Sequence, residues 1–244
     1  MQQPDDPAVP ADPAVPDGPA VPDGPAQPAG LGTPPADGDE VGVGPAPLPW
    51  PDDPRLDPEL LAAGDRRNVL DGYRYWRHEA IVADLDGRRH DFHVAIENWQ
   101  HDLNIGTVVR TANAFLAREV HIVGRRRWNR RGAMVTDRYQ HVRYHPAVAD
   151  LAEHCRRADL PIIAIDNLPG AVPLETAELP RRCLLLFGQE SSGLSAAARS
   201  GAVQVCSIAQ YGSTRSINAG VAAGIAMHTW IRQHAQRPPP DPTL

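Results

Sequence analysis

Lysine is absent from this 244-residue sequence, and all 24 of its basic residues are arginine. The sequence also has no apolar run long enough to cross a bilayer. Its first residues have neither the basic start nor the apolar core of a signal peptide. We therefore expect a cytoplasmic protein that makes no membrane contact.

Cysteine is scarce as well, because Cys155, Cys183 and Cys206 are the only three. Their odd number and wide spacing fit neither a disulfide framework nor a metal site, so we expect small buried residues and no metal. The apolar run at 183–188 is followed by neither a phosphate loop nor a nucleophile elbow. The first predicted strand is not followed by Gly-x-Gly-x-x-Gly, which argues against a nucleotide-binding oxidoreductase.

Charge and composition divide the chain. Residues 1–54 hold ten acidic residues and no basic one, whereas the remainder holds 24 arginines against 20 acidic residues. The first segment repeats a Pro-Ala-Val-Pro-Asp theme and has few bulky apolar residues, which is typical of disorder. We expect a disordered Pro/Ala/Asp-rich tail over 1–54 and an N-terminal extension over 55–90. The extension should hold a short helix, a linker and then a second helix or an irregular segment. A folded domain should follow over 91–237, with a disordered carboxyl terminus over 238–244.

Short apolar runs alternate with helical patterns from residue 93 onward. The patterns predict strands at 93–99, 119–124, near 142, 161–166, 183–188 and 203–208, and helices at 104–116, 147–159, 195–200 and after 216. This alternation is typical of an α/β fold whose parallel sheet is covered by helices on both faces. Five residues of the last helical pattern recur at helical spacing on a single face, as expected of a core helix; they are Ile217, Val221, Ile225, His228 and Ile231.

Three motifs follow the ends of predicted strands, where α/β sheets collect their ligands. The first runs from Asn104 to Arg110 and places Arg110 opposite the apolar stripe of its helix. The second, Gly-Gln-Glu-Ser-Ser-Gly-Leu-Ser, spans 188–195, and the third spans 208–218. Taken singly, each also has a plain structural explanation: an exposed helical arginine, a turn with a capping glutamate, and a helix capped by the hydroxyl of Ser216.

In this order and spacing, the three motifs resemble the signature motifs of the SpoU/TrmH family of SPOUT-class RNA methyltransferases over roughly residues 91–235. The residues that carry the resemblance are Asn104, Gly106, Arg110, Ala112 and Phe115 in the first motif, Gly188, Glu190, Gly193 and Leu194 in the second, and Ile208, Gly212, Ser216 and Asn218 in the third. Ala209 and Ile217 stand where the family usually has proline and leucine. The loss of proline is expected to loosen the backbone of this loop.

The resemblance implies a SPOUT-type parallel sheet with a C-terminal trefoil knot, a homodimer, and S-adenosylmethionine as the methyl donor. The reaction implied is methyl transfer to a ribose 2′-hydroxyl of structured RNA, either tRNA or rRNA. By the same resemblance, the cofactor residues are Gly188, Gly193, Ile208, Gly212 and Ile217, and the catalytic residues are Asn104, Arg110, Glu190, Ser216 and Asn218. Because a guanidinium stays protonated at neutral pH, we expect Arg110 to bind a phosphate and stabilise the reacting oxygen rather than act as a base.

An arginine-rich stretch follows the second predicted strand. Its residues are Arg125, Arg126, Arg127, Trp128, Arg130 and Arg131. Arginines around an aromatic ring are typical of a nucleic-acid surface that combines phosphate contacts with base stacking, although a solvated loop is the alternative. The main rival to the enzyme is a catalytically silent RNA-binding module of the same fold. The presence of Asn104, Arg110, Glu190 and Asn218 together argues against it.

Overall fold

The computed structural model describes residues 42–99, 104–189 and 192–236. The predictions for residues 1–41 and 238–244, and the role predicted for Glu190, lie outside these ranges. Residues 42–54, which their composition assigned to the tail, are not featureless. Val43 pairs with Asp65 in a short antiparallel bridge, and the Ala46 amide donates to Leu61 O at 2.8 Å. Part of the predicted tail therefore packs on the extension.

The N-terminal extension contains two short helices, α1 (Pro58–Ala63) and α2 (His78–Asp86), so its second element is a helix and not an irregular segment. The side chain of Asp57 caps α1 by accepting a hydrogen bond from the Glu59 amide at 2.9 Å, and Pro58 fits the first helical position. Asp65 lies buried between them. Its carboxylate accepts hydrogen bonds from the Arg67 side chain and from the Tyr75 amide, which ties the extension together.

A seven-stranded parallel sheet forms the centre of the fold, with the strand order β3-β2-β1-β6-β4-β7-β5. Its strands are β1 (Phe92–Asn98), β2 (Val120–Gly124), β3 (Val142–His145), β4 (Ile162–Ile165), β5 (Val172–Pro173), β6 (Cys183–Phe187) and β7 (Gln204–Ser207). Every pairing in it is parallel. Six of the strands match the predicted ones within a few residues, and the short β5 was not predicted. The α/β fold class is thus confirmed.

Four helices cover the sheet on both faces, as predicted: α3 (Asn104–Ala114), α4 (Val148–Arg157), α5 (Ala196–Gly201) and α6 (Ala219–His234). On one face, Phe92, Val94 and Ile96 of β1 join a core cluster with α3 and α6. On the other, Ala95 joins a cluster with α4 and α5. This division follows from the alternation of side chains along a strand.

The buried face of α6 differs from the prediction. Its buried residues are Gly220, Ala223, Ala226, Met227 and Trp230. Val221 and Ile225, which the helical periodicity assigned to the core face, are 54% and 40% exposed. Small residues are buried because α6 lies close against α3, with Gly220 facing Thr107. Farther along the helix Met227 and Trp230 fill the core, and Val221 and Ile225 are left on the surface.

The remaining negative predictions concern membranes and cysteines. In the described ranges, no helix combines the length and the apolar character that crossing a membrane requires. All three cysteines are free and buried, as expected. Burial raises the pKa of Cys155 to about 12 and, together with nearby Cys206, raises that of Cys183 to about 12. These thiols are therefore protonated and unreactive at neutral pH.

Candidate active site

A cleft of about 560 Å³ opens at the carboxyl ends of β4, β6 and β7. Predicted site residues that line it are Gly188, Gly193, Ile208, Ser216 and Ile217, whereas Gly212 does not. The cleft also contains residues that the motifs did not mark: Ile165, Asp166, Asn167, Phe187, Arg199 and Arg215. The second and third motifs therefore share one cavity, at the edge of the sheet where a ligand is expected.

The second motif forms a tight turn at the rim of this cleft. Gln189 and Gly193 exchange backbone hydrogen bonds at 3.1 and 3.0 Å. A Cβ on Gly188 would lie only 2.1 Å from the carbonyl carbon of Gly193, and Gly193 has a φ of +63°. Both positions require glycine, because any side chain would clash at the first and strain the backbone at the second.

Two acidic side chains hold this turn in place. The Asp166 carboxylate accepts a hydrogen bond from the Leu194 amide at 3.1 Å. Glu97, fully buried at the end of β1, accepts hydrogen bonds from the Ser195 amide at 2.8 Å and from the Trp99 indole at 2.9 Å. Sequence reasoning missed Glu97 and Asp166. The one available signal was a carboxylate at the end of an otherwise apolar strand.

The first and third motifs meet at a pair of asparagines. Asn218 caps α6, with its Oδ1 accepting hydrogen bonds from the Gly220 and Val221 amides at 2.9 and 3.2 Å. Its Nδ2 donates to Asn104 Oδ1 at 2.9 Å. The helix cap is therefore Asn218 and not the hydroxyl of Ser216, which lies exposed on the preceding loop.

The loop of the third motif is tethered where the family's usual proline is missing. The amide of Ala209 donates a hydrogen bond to the Glu175 carboxylate at 2.9 Å. A proline has no amide hydrogen and could not make this contact. Glu175 therefore restrains part of the loop that the missing proline was expected to loosen. The Asn167 side chain restrains it further by donating to Arg215 O at 3.4 Å.

Arg110 lies exposed on α3, the helix that begins at Asn104, as its periodicity predicted. In the part of the chain that the structure describes, its guanidinium has no ion pair or hydrogen bond. The charge is free to bind an anion that approaches the surface of α3. The first motif thus supplies an asparagine at the junction with α6 and an exposed cation farther along the same helix.

The arginine-rich stretch lies beside α3. Its five arginines are exposed, and the side chain of Asn98 holds the loop by donating to Arg125 O and Arg127 O at 2.6 and 3.0 Å. A Cβ on Gly106 of α3 would lie 2.7 Å from Gly132 Cα, so this glycine permits the close approach of the loop. The stretch therefore lies against α3, the helix on which Arg110 is exposed.

Trp128 is less open to a ligand than the sequence suggested. Its side chain is half-buried and packs against the core cluster below α3. The guanidinium of Arg130 lies 5.6 Å from the centre of its ring. Arg130 also pairs with Asp137 at 3.4 Å. Base stacking on Trp128 therefore stays a prediction. The Arg130 guanidinium would have to move away from the ring before a base could stack on that part of it.

Known proteins resemble this chain in sequence and in fold. The tRNA (guanosine(18)-2′-O)-methyltransferase of Escherichia coli (strain K12) is 28% identical over 160 residues, which are 64% of this chain and 70% of the relative. The AdoMet complex of the SpoU methyltransferase AviRb from Streptomyces viridochromogenes matches with a TM-score of 0.52 and 28% identity, covering 62% of this chain and 60% of that one. The A. aeolicus TrmH/SpoU tRNA modifying enzyme, at 20% identity, shares the fold with a TM-score of 0.58 over 64% of this chain and 82% of its own.

The family comparison agrees with the three motifs. Residues 91–228 match the SpoU rRNA Methylase family. That range begins just before β1 and includes all three motifs, the cleft and most of α6. The chain therefore belongs to the SpoU rRNA methylase family.

Proposed function

We propose that this chain is an S-adenosylmethionine-dependent RNA methyltransferase that modifies a ribose 2′-hydroxyl of tRNA or rRNA. The observation that carries the proposal is the cleft, which joins the second and third motifs and lies beside the Asn104–Asn218 contact. The E. coli relative is a tRNA 2′-O-methyltransferase, and AviRb was crystallised with AdoMet. Family, cleft and relatives all point to the same reaction.

The cleft fits a cofactor of this kind. Its volume of about 560 Å³ lies within the range of small-molecule sites, roughly 300–1,000 Å³. Phe187, Ile208 and Ile217 offer apolar surface to a purine ring, while Asp166 and Arg199 offer charges to the ammonium and carboxylate of a methionine moiety. Gly188 and Gly193 would contribute backbone groups at the rim.

When bound, the cofactor supplies an electrophilic methyl group on a sulfonium sulfur. The ribose hydroxyl would receive that methyl group, and its proton would pass to solvent. Arg110 would bind an RNA phosphate and stabilise the charge on the oxygen. Asn104 and Asn218 would fix the position of α3 relative to the cleft, and Ser216 and Glu190 would orient the ribose.

The RNA surface in this proposal consists of Arg110 and the adjoining arginine-rich stretch. Exposed guanidiniums on one surface suit a polyanion, and the 2′-hydroxyl distinguishes RNA from DNA. The remaining parts of the proposal are a homodimer, a C-terminal trefoil knot that includes α6, and a cytoplasmic location. The exposed apolar side chains of Val221 and Ile225 on α6 support a homodimer, because a second copy could cover them.

Sedimentation of the full chain tests the dimer. Ile225→Arg should shift the protein toward monomer, because a charge would be placed in the interface. Val203→Arg is the matched control, since Val203 is 70% exposed and lies between α5 and β7 rather than on α6. A monomeric native protein, or a dimer that tolerates Ile225→Arg, would contradict the dimer through α6.

Calorimetry followed by a methylation assay tests the activity. The full chain should bind S-adenosylmethionine and not NAD. It should then methylate either total tRNA or rRNA, and mapping of the 2′-O-methyl group would identify the nucleotide. The exposed arginines alone would also suit a catalytically silent RNA-binding module, and RNA binding without cofactor binding would establish that alternative instead.

A further inference from the structure

Three histidines form a diagonal row across neighbouring strands. They are His93 of β1, His121 of β2 and His145 of β3. His93 Nδ1 lies 2.9 Å from His121 Nε2, and His121 Nδ1 lies 2.9 Å from His145 Nε2. The row faces α4, whose His154 ring centre lies 5.1 Å from that of His121. His121 is fully buried.

Glu119, immediately before β2, completes the group. Its Oε1 accepts a hydrogen bond from Arg143 Nε at 2.9 Å, which fixes the carboxylate. Its Oε2 lies 3.6 Å from His121 Nε2 and 3.9 Å from His93 Nδ1. Among the described residues, these two histidines and Glu119 bring three ligand atoms together within 4.8 Å of one another.

We propose that His93 Nδ1, His121 Nε2 and Glu119 Oε2 bind a divalent first-row transition-metal ion, with Zn²⁺ the ion that best fits two imidazoles and a carboxylate. Ligand atoms about 2.0–2.1 Å from a tetrahedral Zn²⁺ are roughly 3.3–3.4 Å apart. The three observed separations lie on either side of that value. Movements of a few tenths of an ångström would bring all three atoms to the metal. The fourth position would be left to water or another small ligand.

The surroundings support a metal in two ways. His145 would accept a hydrogen bond from His121 Nδ1, which would hold the His121 ring with Nε2 toward the metal, as outer partners of metal-bound histidines do. Arg143 holds the remaining carboxylate oxygen.

This site is separate from the cleft. His93 lies near the start of β1, five residues before Asn98 at the carboxyl end, which corresponds to roughly 17 Å along the strand. A metal there would join β1 to β2 near their amino ends and would not touch the cleft. Metal binding at this site therefore does not depend on the proposed function.

Titration of the metal-free full chain with Zn²⁺, followed by calorimetry, tests the site. The native chain should bind one ion with high affinity, and its thermal midpoint should rise as the site fills. Glu119→Gln and His93→Ala should each abolish the high-affinity phase. His145→Ala, which removes only the outer partner, should weaken binding by about 10–100-fold. His141→Ala is the control and should change nothing, because His141 is exposed and pairs with Asp86 outside the group.

Two measurements keep the test decisive. Circular dichroism should show native spectra for Glu119→Gln, whose amide oxygen can still accept from Arg143. Co²⁺ bound to the native chain should give the visible absorption of a tetrahedral centre, which Glu119→Gln should remove. A native chain that binds no Zn²⁺ would overturn the proposal, and so would Glu119→Gln and His93→Ala variants that both keep the native affinity.

Discussion

The side-chain amide of Asn218 donates to Asn104 Oδ1 at 2.9 Å, across 114 residues of sequence. The same Asn218 caps α6 through its Oδ1, so one side chain serves both the helix and the junction. Asn104 begins α3, on which Arg110 lies. Through this contact the loop that lines the cleft is joined directly to the helix with the proposed catalytic cation.

A double-mutant cycle measures this junction. Asn218→Ala should lower the free energy of unfolding by about 0.5–2 kcal/mol, because α6 loses its cap. Its coupling to Asn104→Ala should be about 0.5–1.5 kcal/mol, the usual contribution of one hydrogen bond. Urea unfolding of the four proteins gives these values. Ser195→Ala, which removes the cap of α5, should show no coupling to Asn104→Ala, and equal coupling in both cycles would contradict the contact.

Removal of the Arg110 cation, exposed on α3, should slow methyl transfer without changing the affinity for the cofactor. Arg110→Ala should keep S-adenosylmethionine affinity and reduce single-turnover methyl transfer by about two to four orders of magnitude, as for loss of one well-placed charge-stabilising group. Arg110→Lys should restore little, because an ammonium lacks the two-pronged contact. Arg157→Ala on α4 is the matched control. Near-normal turnover in Arg110→Ala would remove Arg110 from the catalytic residues.

The arginine-rich stretch should determine the salt dependence of RNA binding. Replacement of Arg126, Arg127, Arg130 and Arg131 by alanine should lower the slope of log affinity against log salt by roughly 0.7–0.9 for each RNA phosphate that is no longer bound. Cofactor affinity should not change. The control is an equal reduction of charge elsewhere, at Arg156, Arg157, Arg181 and Arg182. If the slope falls equally in both quadruple variants, only the net charge matters and the stretch is not a specific surface.

The tether on the third-motif loop should affect cofactor affinity. Glu175→Ala removes the acceptor of the Ala209 amide and should weaken S-adenosylmethionine binding by about two- to tenfold, the effect of one hydrogen bond. Glu175→Gln should bind normally, because its amide oxygen can still accept. Ala209→Pro removes the donor, so in that background Glu175→Ala should have no further effect. Glu178→Ala, in the same connection, serves as the control for calorimetry.

The buried carboxylate of Asp65 in the N-terminal extension should make the free energy of unfolding depend on pH in the acid range. Burial alone would raise the pKa of Asp65, but the hydrogen bonds from Arg67 and Tyr75 prevail and hold it at about 2. A carboxyl whose pKa is lower in the folded than in the unfolded chain stabilises the fold at pH values above the unfolded pKa of about 4. This contribution to the free energy of unfolding is about 2 kcal/mol, and it is lost as the pH falls toward 2. Asp65→Asn should therefore destabilise the protein at pH 6 and much less at pH 2.5 in urea unfolding.

Asp71→Asn is the control for that experiment. Asp71 pairs with Arg74 at 3.2 Å, but its side chain is 65% exposed. An exposed pair of this kind contributes little to stability, so the variant should unfold like the native chain at both pH values. A destabilisation by Asp65→Asn that is the same at both pH values would show that its charge is not responsible.

The sequence by itself determined the order of the elements and the place of the three motifs. Strands such as β6 are apolar throughout, and the helical period of α3 puts Arg110 opposite its buried stripe; both patterns are local and need no knowledge of neighbours. Glycines 188 and 193 could be recognised for the same reason. Their spacing reflects backbone constraints within one turn.

Only the tertiary structure decided which face of α6 is buried. Periodicity marks the face of Val221 and Ile225, but α6 buries Gly220 close against α3 and Trp230 in the core, which leaves Val221 and Ile225 exposed. Contacts such as Ala209 with Glu175, or His93 with His121, join residues 34 and 28 positions apart. No local pattern encodes such pairs, because strand order and helix packing bring them together only when the sheet forms.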